Sequence, residues 1–383
     1  MRLAAVGRRL ITWFATCPKT QLVIVLSGIY AATAAYRAVS IDVAAAELPA
    51  WSLATRGTLD VSGVERWDIP WFFEHAGGVY SDRFPGAIFP LVPAYWVASL
   101  LGLPEFSFAP GGISAGLVSG VAVVAMRSVL SRVLQQRELG IGVLYLAFGT
   151  GVWSVTANAP WSHTFALLGI SLGLLAMASG KDFAAGLALG ASVSARPTLA
   201  VAVLGIGLGL ALLRRDPRPV VSVGLGAVPG VLFLVAYNGA MFGAWGPSNG
   251  HELEGNIHVR WLDIPVNFGG ALFSPLRGLV FYYPVLGLSV MTVRRAWRDA
   301  ADWERAAAIG AVLTFLVQFS LNRYSGGDTF FGPRLLIEPL ALATPVLARA
   351  VALFGRDHSR RVVAVALGAG IALHAFGAII VPY

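Results

Sequence analysis

Asp42, Arg83 and a set of arginines near span ends are the side chains whose types and settings could do chemistry in this sequence. Asp42 opens a polar island, residues 40–86, SIDVAAAELPAWSLATRGTLDVSGVERWDIPWFFEHAGGVYSDRFPG, which holds seven of the chain's 20 acidic residues. Charge beside hydrocarbon is costly and marks a site by default. A carboxylate at a membrane surface can act as a general base on a hydroxyl group. The structural alternative for Asp42 is a helix N-cap, a position aspartate often takes. Glu47 follows five residues later, a spacing that does not stack the two acids on one helix face. Arg83, in YSDRFPG, has the planar fork that holds a phosphate through two hydrogen bonds; an ion pair with Asp82 or a lipid headgroup would also account for it. Arg196, Arg277, Arg323 and Arg334 likewise fall near span ends on the acid-rich side. His163, preceded by Asn158 and Trp161, can hydrogen-bond a sugar or phosphate, or simply cap a helix.

The elements that must position these groups are apolar. The chain of 383 residues is 56% hydrophobic and 13% charged, about half the charged fraction of a soluble globule. Runs of about 20 apolar residues recur, and bundled helices are what such runs form in a bilayer. The sequence predicts an all-α polytopic membrane protein, one domain over 1–383, with spans near 21–39, 111–134, 139–157, 162–180, 183–195, 197–213, 219–238, 278–293, 304–321, 334–353 and 361–381. Residues 85–102, interrupted by Pro85, Pro90 and Pro93 and bordered by Tyr95 and Trp96, read as a juxtamembrane helix at the outer surface. With the N-terminus cytoplasmic, these eleven spans place 19 of the 28 basic residues inside and 13 of the 20 acids outside. A full crossing at 85–102 would invert that bias. The other reading of the N-terminal span is a cleaved signal peptide ending near AATAA.

The net charge of +8 resides at span ends rather than on a soluble basic face, so nucleic acid is not an expected partner. Near absence of lysine, with abundant alanine and glycine, suggests a bacterial genome of high GC content. The single cysteine, Cys17, leaves no intramolecular disulfide framework and no CxxC metal site. The segment HELEGNIH, with His251, Glu252, Glu254 and His258, lacks the HExxH spacing of zinc hydrolases. Phosphate-binding loops, dinucleotide fingerprints and nucleophile elbows are not found. No cofactor is implied, and a divalent metal stays open.

Taken in order, SIDVAAAELPAWSLATRGTLDV, HAGGVYSDRFPGAIFPLVPAYWV, GTGVWSVTANAPWSHTFALL, ARPT, YNGAMFGAWG, SPLRGLVFYYPVL and SGGDTFFGPRLLIEPL resemble the landmarks of GT-C integral-membrane glycosyltransferases. The likeness is to the bacterial relatives of protein O-mannosyltransferases and of the lipid A aminoarabinose transferase. It implies a GT-C-like bundle of about eleven spans, with a first outer loop, 40–102, carrying juxtamembrane helices and the active site. It further implies a polyprenyl-phosphate-linked sugar donor and transfer to a hydroxyl of a glycan, lipid or protein acceptor on the outer face of the plasma membrane. Arabinose or mannose for cell-envelope glycan fits such an origin, with the polyprenyl tail in a lipid-facing groove. By that resemblance Asp42 is the catalytic base, Arg83 and Arg334 bind the donor phosphate, and Glu47, His163 and Asp328 are neighbours able to bind substrate. The sequence departs from the pattern in lacking a second acid beside Asp42 and in having one proline in YSDRFPG. Two alternatives remain: a transporter or flippase of a lipid-linked saccharide, and a non-catalytic polyprenyl-phosphate-binding subunit.

Overall fold

The computed structural model describes residues 2–64, 69–75, 77–247, 262–321 and 331–381. Its order is α1 (Arg2–Thr16), α2 (Lys19–Thr33), α3 (Ile41–Arg56), a hairpin of β1 (Phe72–His75) and β2 (Gly78–Ser81), then α4 (Pro85–Ile88) and α5 (Val92–Leu100) joined by a 3₁₀ turn. Then come α6 (Ala109–Leu130), α7 (Gln136–Phe148), a π-helical turn at Val152–Thr156, α8 (Ser162–Met177), α9 (Asp182–Ala195), α10 (Ala200–Arg214) and α11 (Arg218–Phe242). The rest is α12 (Asp263–Phe273), α13 (Leu279–Tyr282), α14 (Pro284–Ser289), α15 (Val293–Asp299), α16 (Asp302–Leu321), α17 (Ile337–Asp357) and α18 (Arg360–Ile379). The protein is therefore almost wholly helical, as its composition requires.

Among the described residues seven helices are long and apolar enough to cross a membrane: Ala109–Leu130, Gln136–Thr156, Pro197–Arg214, Arg218–Phe242, Asp302–Leu321, Arg334–Asp357 and Arg360–Ile379. This is the signature of a multi-pass membrane protein. An eighth candidate is bent: Gly7–Thr16 and Lys19–Thr33 meet at 120°, where Pro18 removes a backbone donor and ends the first helix. The remaining expected spans differ from single long helices. Helices α8 and α9 have 16 and 14 residues, and the expected span at 278–293 is divided into α13 and α14 at Tyr283–Pro284. Proline there forbids a helical hydrogen bond and pushes the preceding residue out of the α region, and Tyr283 adopts φ −131°.

The core is built on close helix pairs, α9 with α11, α8 with α9, α10 with α16, and α2 with α6. Small residues allow the approach, as is usual between helices in lipid. A Cβ on Gly190 of α9 would lie 2.6 Å from the Ala227 carbonyl oxygen of α11. Leu26, Tyr30, Met126, Leu130, Ile170, Leu174 and Ile206 are fully buried between these helices.

Arginines expected at one end of the bundle bond to residues expected at that same end. Arg127 donates to the Cys17 and Ala15 carbonyls, Arg132 to Ser179 Oγ, Arg214 to Asp182, Arg349 to Glu304, and Arg356 to Glu138. Every partner in this set comes from a loop or helix end expected on the cytoplasmic side. The opposite end collects Asp42, Arg83, Asn158, His163, Arg196 and Arg334.

Candidate functional site

Helix α3 begins with Ser40, whose Oγ accepts from the backbone N–H of Asp42 at 3.2 Å. Ser40 is thus the N-cap, and the side chain of Asp42 is released from that duty. It points instead to two guanidinium groups: Arg334 Nη2 lies 3.0 Å from Oδ2, and Arg83 Nη1 lies 3.5 Å from Oδ1. The three side chains come from positions 42, 83 and 334, yet form one cluster. They are partly open, with 22%, 16% and 18% of their side-chain surfaces exposed, so a ligand can reach them.

Each arginine is held flat. The Arg83 guanidinium carbon sits 4.5 Å from the centre of the Trp71 ring, and that of Arg334 sits 4.6 Å from the Trp161 ring. Stacking of this kind fixes the plane of the fork and leaves its edge for anions. Arg83 also donates from Nε to Asp82 Oδ1 at 2.8 Å, the ion pair with its neighbour that the sequence offered. Asp60 locks the hairpin that carries Arg83: its Oδ1 accepts from Ser62 N, Ser62 Oγ and Val79 N at 2.9, 2.6 and 2.9 Å. The Ser62 hydroxyl is the main cause holding the Asp60 carboxyl below the usual aspartate range. Gly86 then brings α4 against the end of α9, where a Cβ would lie 2.5 Å from the Ser194 carbonyl carbon. No side chain fits this approach.

Beside this cluster lies a second, whose acid and histidine are buried and whose arginine is partly exposed. His163 and Glu338 are 2% and 1% exposed. Glu338 Oε1 accepts from His163 Nδ1 at 2.6 Å and pairs with Arg196 Nε at 3.0 Å. Arg196 Nη1 approaches His163 Nε2 at 3.4 Å. Arginine only donates, so Nε2 must accept, which sets a neutral imidazole with its proton on Nδ1. The clusters share their supports: Trp161 and His163 open α8, and Arg334 and Glu338 lie four residues apart at the start of α17. Val39, Val43, Val155, Ala159, Trp161 and Ile337 form the apolar floor between them. The π-helical turn just before this floor is a local device common at functional sites.

Glu47 is elsewhere. It is 0% exposed, it is wedged against Gly111, and among the described residues the Tyr95 hydroxyl is the polar group beside its carboxyl. Burial pushes its carboxyl well above the usual glutamate range. Of the six candidates, then, Asp42, Arg83 and Arg334 converge, His163 sits in the adjoining cluster, and Glu47 occupies a separate apolar pocket. Asp328 lies outside the described residues, as do Arg323 and the HELEGNIH segment. Asn158 is a brace, donating to the Thr33 and Ala378 carbonyls at 3.1 and 3.3 Å. Among the described residues no three His, Cys, Asp or Glu side chains are grouped to hold a metal.

No protein-family model matches this chain, and no curated protein sequence matches it. The site must be read from its own chemistry. Glu338 is the residue that sequence reasoning missed; a lone acid in the apolar run LLIEPLALA was the available signal, because an ionisable group there needs a partner.

Proposed function

We propose that the protein is a membrane glycosyltransferase of GT-C type that moves a sugar from a polyprenyl-phosphate donor to an acceptor hydroxyl at the outer face of the plasma membrane. The observation that carries this reading is the placement of Asp42 between Arg83 and Arg334. A phosphate is the ligand that would compete with Asp42 for both guanidinium groups. On donor binding the arginines turn to the phosphate through charge-assisted hydrogen bonds, and the Asp42 carboxylate is freed. The acceptor oxygen then attacks the anomeric carbon, and its proton passes to Asp42. The bond from the anomeric carbon to the phosphate oxygen breaks, its electron pair leaving with the phosphate, where the two arginines stabilise the developing charge. The N-termini of α3, α8 and α17 meet here, and their dipoles favour the same anion. In this reading eleven crossings are made up of the seven long helices, the bent α1–α2 pair, the shorter α8 and α9, and the broken α13–α14 segment. The α4–α5 segment lies along the outer surface, with Trp96 and Leu100 exposed to the interface.

The test is transfer from a radiolabelled polyprenyl-phosphate sugar by purified protein and by Asp42→Asn, each with a cell-envelope acceptor extract. Transfer by the wild type that collapses in the variant, with donor binding retained, supports the reading. Equal transfer removes Asp42 from the mechanism, and binding without transfer by either protein favours a binding subunit or a transporter.

A further inference from the structure

One cavity runs away from the Asp42 cluster. It has a volume of about 430 Å³, is enclosed by α7, α17 and α18, and runs along α17 from Ile337 past Ala341 and Ala348 to Arg356. Nineteen residues of helix separate its ends, about 28 Å, close to the thickness of the hydrocarbon layer. Its wall is apolar along that length. The small side chains of Ala341 and Ala348, with Gly142 and Gly368 opposite, make the room.

The two ends differ in charge. Near Ile337 the lining is Gly151, Val152 and Tyr283, with no ionised group. At the other end stand Arg137, Arg356 and Arg360, with Glu138 as the one acid. Glu138 pairs with Arg356 at 3.4 Å, while among the described residues neither Arg137 nor Arg360 makes an ion pair. The three arginines are exposed, so the mouth is open and net positive. An occupant must therefore combine a long apolar part with an anionic head at the arginine end. That end is opposite to the one where a donor phosphate would meet Arg83 and Arg334.

We infer that this cavity binds an anionic phospholipid, its phosphate on Arg137, Arg356 and Arg360 and one acyl chain between α7, α17 and α18. Basic pockets between spanning helices suit such headgroups. A chain entering from the arginine mouth fills the part around Leu134, Ala348 and Ala352, about half the hydrocarbon depth. The inference does not rest on the sugar-transfer reading, because it concerns lipid binding at the other end of the bundle.

The experiment is native mass spectrometry of the purified full-length protein titrated with phosphatidylglycerol or with phosphatidylcholine of the same chains. The expected result is preference for phosphatidylglycerol on the order of 100-fold, at about one kcal/mol for each of three arginines. The triple variant R137Q/R356Q/R360Q should lose that preference, and the triple lysine variant should keep most of it, which separates a charge effect from misfolding. Ala348→Trp, which fills the channel, should weaken both lipids. Equal affinity of the wild type for the two lipids overturns the inference. So does unchanged binding in Ala348→Trp, or full displacement of the lipid by millimolar inorganic phosphate, which would mark a headgroup site with no chain in the cavity.

Discussion

Asp42 and Glu47 sit on the same helix, five residues apart, and meet opposite fates. Asp42 is partly exposed and faces two guanidinium groups; Glu47 is sealed off with no ion-pair partner among the described residues. The partners keep Asp42 in contact with ligand-accessible charge, whereas desolvation at Glu47 favours the neutral acid. Being acidic in the polar segment 40–86 does not make a residue a base. What distinguishes the two is which way the helix turns each one, and α3 presents residues 44, 45 and 48 to an apolar cluster with Val61 and Ile69.

The largest effect should separate these two acids directly. Asp42→Asn is expected to lower sugar transfer by about 100- to 10,000-fold, the usual range for a lost general base. Glu47→Gln should stay within about twofold, since it replaces a buried carboxyl that faces neither arginine of the Asp42 cluster by a group of the same size. Parallel single-turnover assays on the two variants check this, and equal losses would erase the distinction.

The comparison extends to Glu338, which is as buried as Glu47 but has an ion-pair partner. Removing Arg196 leaves the buried Glu338 carboxylate with a neutral His163 as its remaining partner, and breaking a buried ion pair in this way costs up to about 3–5 kcal/mol. Arg196→Ala should therefore unfold far more readily than the wild type, while Arg196→Ala with Glu338→Gln recovers much of the loss. Denaturant titration of both variants in detergent measures the recovery. No recovery would mean that Arg196 stabilises through packing rather than through Glu338.

Arg83 and Arg334 offer a finer test. Each bond to a charged partner contributes about 1.5–3 kcal/mol, so Arg83→Ala and Arg334→Ala should each weaken donor binding by roughly 10- to 100-fold. If both hold one phosphate, the double variant should lose less than the product of the two. Additive losses would place the arginines on different ligands.

Much of this arrangement is legible in the sequence because charge near a membrane is sparse. The dense acids of 40–86 and the arginines at span ends mark the polar groups, the family resemblance picks Asp42, Arg83 and Arg334 from among them, and the basic-residue bias groups loops whose arginines the structure pairs with one another's neighbours. What is not legible is pairing across distance. Nothing local to His163, Arg196 or Glu338 says that the three meet, and five-residue spacing alone does not tell that Glu47 is sealed by Gly111. Pro18 and Pro284 mark the breaks in the structure, but the span expected at 278–293 runs straight through Pro284. The short α8 and α9 depend on tertiary packing, through close contacts such as Gly190 on Ala227, which replace length with proximity.

The smallest effect is a pH dependence that returns to Glu47. In the folded protein burial holds its carboxyl protonated well above the usual range, whereas in the unfolded chain it ionises near about 4.3. Between those limits the folded state binds the extra proton, so stability falls as pH rises. Its contribution is fully favourable only below the unfolded value, and declines across the neutral range towards the raised folded value. Glu47→Gln has no proton to lose, so its melting temperature should fall less than the wild type's between pH 5 and pH 8, with the two proteins closest at the acid end. Gly111→Ala sharpens the point by forcing the Glu47 carboxyl from its pocket, where Gly111 leaves no room for a Cβ. If that displacement reaches water, the variant should show the flattened pH profile of Glu47→Gln even though the acid is still present. A profile as steep as the wild type's would instead place the responsible proton on another group.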